Sequence, residues 1–70
     1  MRVQAEKRKK GKWVTVVRDL DELDHAEVLT QLKNHLGAGG TIKDSTIEIQ
    51  GDHSERIKKW LVDAGFRLKK

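Results

Sequence analysis

The stretch LGAGGTIKD, Leu36 to Asp44, packs three glycines into four residues and follows them with a lysine. A phosphate-gripping loop leads from a strand into a helix, so that its amides and the positive end of the helix dipole face the phosphate. Here the order is reversed. Upstream, DHAEVLTQLKNHL (24–36) has helical spacing, with Ala26, Leu29, Leu32 and Leu36 as one apolar stripe and Asp24 and Glu27 at capping-box separation. Downstream, GTIKDSTIEIQ (40–50) reads as two short strands around Lys43–Thr46, with Ile47 and Ile49 inward and Glu48 and Gln50 outward. A helix end offers carbonyls and partial negative charge, and no Gly-Lys-Ser/Thr follows at the required distance. Gly37 is therefore expected as a left-handed helix stop, and the glycines serve the fold.

The flanking segments extend this pattern. VQAEKRKKGKWVTVV reads as a hairpin over 2–17, in which Lys12, Val14 and Val16 share one face and Trp13, Thr15 and Val17 the other. Gly11 can take positive φ in its tight connection. GDHSERIKKWLVDAG repeats the helix grammar over 53–64. Asp52 and Glu55 have capping spacing, Ile57, Leu61 and Ala64 form the stripe, Trp60 sits at its edge, and Gly65 ends it. A short terminal strand is expected over 66–69. The order β-β-α-β-β-α-β predicts a single α+β domain over 1–70, a two-layer α/β sandwich whose mixed or antiparallel sheet carries both helices on one face.

Seventy residues leave no room for a second core, and a chain of this size buries only about 60% of the surface its unfolded form exposes. Without cysteine there is no disulfide framework, thiolate metal site or cysteine nucleophile, which fits a cytosolic setting. Nothing approaches the roughly 20 apolar residues of a membrane span, nor the apolar segment of a signal peptide, so a soluble protein without membrane contact is expected. Charge is uneven along the chain. Residues 1–12 hold six cations against Glu6 alone, whereas residues 13–31 hold Arg18 against Asp19, Asp21, Glu22, Asp24 and Glu27. Such asymmetry points to a polyanion-binding pole, with the acidic run complementing the start of the first helix.

Constellations that would suggest an enzyme fail on geometry. Asp52, His53 and Ser54 are adjacent, but neighbours at a helix start diverge by about 100° and cannot converge as a triad. His25, His35 and His53 lack the i, i+3 or i+4 pairing of a helical metal site and are expected as surface or capping residues. No catalytic residue, metal or cofactor is expected. KRKKGK, Lys7 to Lys12, differs in kind, with five cations in six residues at a turn, where two strands hold them in one projecting cluster suited to phosphates. Lys10 and Lys12 act as point charges, and Arg8 can fork onto a phosphate or stack on a base. Trp13, beside the turn, either stacks on an exposed base or covers the open face of the sheet.

KKGKWVTVV, LKNHLGAGGTIKD, IEIQGDH and WLVDAGF, in this order and spacing, resemble the eukaryotic-type translation initiation factor 1 family, the suppressor-of-initiation family, over roughly residues 8–66. GGTIKD…IEIQGDH is the most specific part, and the spare N-terminal region is similar to bacterial members. The resemblance implies a non-enzymatic, RNA-binding, cytoplasmic monomer that binds small-subunit ribosomal RNA near the P site and influences start-codon selection. Initiator tRNA and other initiation factors would be further partners. It places Arg8, Lys9, Lys10, Gly11 and Lys12 against rRNA near the codon, gives Lys33 of the first helix another rRNA contact, and turns Lys43 and Asp44 towards tRNA. This chain departs from the family at VRDL, where relatives often end Gly-Leu. It also has GDHS, which lacks the arginine that usually follows and so one candidate rRNA contact, and a shorter second turn. A protein–protein interaction module on the same fold, with no ribosomal role, is the alternative.

Overall fold

The computed structural model describes residues 1–66. Strands β1 (Arg2–Lys7), β2 (Trp13–Arg18), β3 (Gly40–Lys43) and β4 (Thr46–Gln50) form one sheet in the order β1-β2-β4-β3, and helices α1 (Glu22–Leu36) and α2 (Ser54–Asp63) complete the layers. Every pairing is antiparallel. Val3, Val17, Ile47 and Ile49 on one sheet face enclose the core with Val28 and Leu32 of α1 and Ile57 and Leu61 of α2, giving the expected two layers with both helices on one side. The expected terminal strand lies outside the described residues except for Phe66, which is not in a strand; its N–H donates to the Leu61 carbonyl at 2.9 Å.

The glycine segment behaves as its polarity requires. Gly37 is left-handed (φ 64°, ψ 28°), and its N–H donates to the Lys33 carbonyl. Three residues later β3 begins. Gly40 is needed for a different reason, because a Cβ there would lie 2.6 Å from Ile49 Cδ1 and 2.8 Å from the Glu48 carbonyl oxygen. Backbone cannot yield as a side-chain end can, so Gly40→Ala must push β3 away from β4. The expected loss is about 1–3 kcal/mol in urea unfolding. The β3–β4 connection is a two-residue turn in which Asp44 (φ 50°) and Ser45 (φ 60°) are both left-handed, as a twisted hairpin favours.

Both helices start differently from the expectation. Helix α1 begins two residues earlier, because Asp21 rather than Asp24 caps it, accepting the Leu23 N–H at 3.0 Å. Asp24 lies inside the first turn, where with Glu22 it complements the helix dipole. The buried stripe is His25, Val28 and Leu32, with Leu29 and Leu36 only partly buried and Ala26 exposed. His25 is thus not a surface residue: its Nε2 lies 2.8 Å from the Leu20 carbonyl oxygen, giving that carbonyl a partner where Leu20 tucks into the core. In α2 the residue before the helix is His53, whose side chain makes no capping bond. Asp52, the expected cap, accepts the Ser54 N–H at 3.5 Å and Ser54 Oγ at 3.2 Å, and Ala64, expected in the stripe, is exposed.

Helix α2 is anchored by a residue whose role the alternation does not reveal. Thr15 Oγ1 donates to the Gly51 carbonyl at 2.7 Å and accepts the His53 N–H at 2.8 Å, with the residue 0% exposed. One hydroxyl therefore joins β2, the β4–α2 loop and the start of α2.

Candidate nucleic-acid interface

Strand register sorts the candidate residues into two groups. Val14 pairs with Gln50 and Gly40 with Ile49, so the start of β2, the end of β4 and the start of β3 share one end of the sheet. The β1–β2 tip, the loop through Gly51 and the C-terminal end of α1, which carries Lys33, gather at that end. The turn Lys43–Thr46 lies at the other. There Ser45 Oγ donates to Glu22 Oε1 at 2.9 Å, so Lys43 and Asp44 sit beside the acidic start of α1 and apart from the tip.

The tip is a five-residue loop, Arg8 to Lys12, closed by the Arg8 N–H donating to the Lys12 carbonyl at 2.6 Å. Positive φ is taken at two successive residues, Lys10 (66°) as well as Gly11 (73°). Lys9, Lys10 and Lys12 are exposed and make no ion pair among the described residues. Arg8 is engaged differently. Its Nη2 lies 3.2 Å from Glu6 Oε1 and 3.4 Å from Glu48 Oε2, so the guanidinium, though exposed, is paired with carboxylates of β1 and β4. Arg18 completes the network at 2.8 Å from Glu6 Oε2. Trp13 is 44% exposed and, with Arg8, Lys12, Val14, Gln50 and Gly51, lines a hollow of about 320 Å³ at the root of the tip.

This charge network explains a burial that alternation would not give. Val16 faces away from the helices, yet it is only 1% exposed. Its cross-strand neighbours are Gln4 and Glu48, and Arg18 also donates to Gln4, so long side chains roof it. The hydrogen bond from Arg18, then its charge and that of Arg8, holds the Glu6 carboxyl below its ordinary value of 4.5 against a smaller opposing desolvation. A depressed carboxyl stabilises the fold fully above its unfolded value and loses that contribution as pH falls through the folded one. Lowering pH through 4.5 in low salt should therefore lower the melting temperature of the wild-type chain more steeply than that of Glu6→Gln, with the difference shrinking in high salt.

Sequence alone singled out the tip lysines but not Arg56 and Lys59. These exposed residues of α2 flank half-buried Trp60 in a groove against His35 of α1. Their signal was present as the i, i+3, i+4 spacing 56–59–60, displaced by one position from the buried Ile57 and Leu61. Among the described residues no helix is long and apolar enough to cross a membrane.

The domain is a small antiparallel α+β sandwich whose hairpin tip carries three exposed lysines with no ion pair among the described residues. The family model for translation initiation factor SUI1 matches residues 1–67, and the chain belongs to that family. Among similar proteins, a protein translation factor SUI1 homolog of Sulfolobus acidocaldarius is 43% identical, the match covering 94% of this chain and 69% of the relative. Homologs of the same description from Pyrococcus furiosus (46%) and Thermococcus onnurineus (44%) match over the same shares. Membership gives the chain a translation initiation factor role in protein biosynthesis, in a family of initiation factors rather than of enzymes.

Proposed function

We propose that this domain docks on small-subunit rRNA near the P site through Lys9, Lys10 and Lys12, and influences start-codon selection by occupying space there. The carrying observation is that these three lysines are exposed at the tip with no ion pair among the described residues, while Arg8 and Arg18 are held by Glu6 and Glu48. A loop closed at its root presents its charge without first having to be ordered, so less affinity is lost on docking. Lys33, exposed at the same end, adds a contact from α1. The turn Lys43–Asp44 is the weaker RNA-facing candidate, because Glu22 beside it opposes a phosphate backbone. The domain acts by binding rather than catalysis, as a monomer in the cytoplasm, with initiator tRNA and other initiation factors near it on the ribosome. Co-sedimentation with isolated subunits at about 50 and 200 mM salt tests this. Binding to the small subunit that falls steeply with salt is expected, whereas no small-subunit binding, or binding indifferent to salt, overturns it.

A further inference from the structure

We infer that the groove between α1 and α2 is a second RNA contact, taking one unstacked nucleotide of a single strand. The groove, about 360 Å³, is lined by His35 of α1 and by Arg56, Lys59, Trp60 and Asp63 of α2. Arg56 and Lys59 make no ion pair among the described residues, in contrast to Arg8 and Arg18 on the opposite side of the sheet. Two unengaged cations beside a half-buried indole supply what a nucleotide needs: charge for its phosphates and a flat surface for its base. Asp63, the one carboxylate lining the groove, can accept a hydrogen bond from an exocyclic amine of a base, a donor that an acidic side chain lacks.

Position supports the same occupant. Helix α2 starts at the tip end of the sheet, where the His53 N–H reaches Thr15, and Arg56 lies in its first turn. A strand held at the tip lysines can therefore continue onto the helical layer. The choice of RNA rests on the tip assignment, but the groove has its own residues and its own reporter.

Trp13→Phe leaves Trp60 as the sole indole. Titration of this variant with hexa-adenylate should quench Trp60 fluorescence saturably. Adding Arg56→Gln and Lys59→Gln should weaken the apparent affinity roughly tenfold and lower the salt slope by about 1.4. Lys9→Ala/Lys10→Ala/Lys12→Ala in the same background should still quench, which separates the groove from the tip. No response of Trp60 to hexa-adenylate overturns the inference, as does a response indifferent to the Arg56 and Lys59 changes. Equal quenching by hexaglutamate also overturns it, since the groove would then recognise negative charge alone.

Discussion

The variant Lys9→Ala/Lys10→Ala/Lys12→Ala should bind isolated small ribosomal subunits at least tenfold more weakly than the wild-type chain at about 100 mM salt, and with a salt slope smaller by about 3. Each lysine that neutralises a phosphate releases counterions, so slope as well as affinity reports how many phosphates the variant no longer neutralises. The fold should be unaffected. None of the three side chains is buried or paired among the described residues, and the loop is closed by main-chain atoms of Arg8 and Lys12. Far-ultraviolet circular dichroism and the melting temperature should match wild type within error. Arg8 is left out deliberately, because Arg8→Ala would also release Glu48 and take one of two partners from Glu6, mixing a stability change with a binding change. A folded triple variant with wild-type affinity would exclude the tip as the rRNA contact.

Thr15→Val should destabilise the domain by about 2–4 kcal/mol, far more than a nearly isosteric exchange usually does. The methyl group replaces a hydroxyl that both donates to the Gly51 carbonyl and accepts the His53 N–H, and water does not reach a residue that is 0% exposed. Two main-chain groups then lose their partner, each at a cost of about 1–3 kcal/mol. For a domain of this length, the melting temperature falls by about 4–8 °C per kcal/mol, so the drop should exceed 8 °C. Thr15→Ser keeps both hydrogen bonds and should lose only about 1 kcal/mol, mainly for the missing methyl. Equal effects of Val and Ser would show that packing, not the hydroxyl bridge, sets the cost.

The two substitutions probe parts of the molecule that were unequally visible in the sequence. The tip was plain, because five cations around a glycine are conspicuous in one dimension. So was the β3–β4 hairpin, where Ile47 and Ile49 alternate with Glu48 and Gln50 and only one face can be apolar. The start of α1 was read two residues late, because Asp24–Glu27 has capping separation and Asp21–Asp24 has it too. The side chain of Asp21, accepting the Leu23 N–H, fixes the earlier start. Thr15 and Val16 were only half legible for a shared reason: alternation shows which residues share a face but not what covers it. Thr15, on the face of Trp13 and Val17, is a buried clasp, and Val16, on the face of Lys12, lies under Glu48 and Gln4. Arg8 escaped for the same cause, since its partner Glu48 is forty residues away.

The roof over Val16 also sets how thick the molecule is. An apolar sheet face left bare would need another layer of helices or a second molecule to cover it. Glu6, Arg8, Arg18 and Glu48 close it with their own side chains, and the backbone measures 34 × 22 × 22 Å. That face therefore needs neither a second helical layer nor an apolar partner, and the domain stays two layers thick.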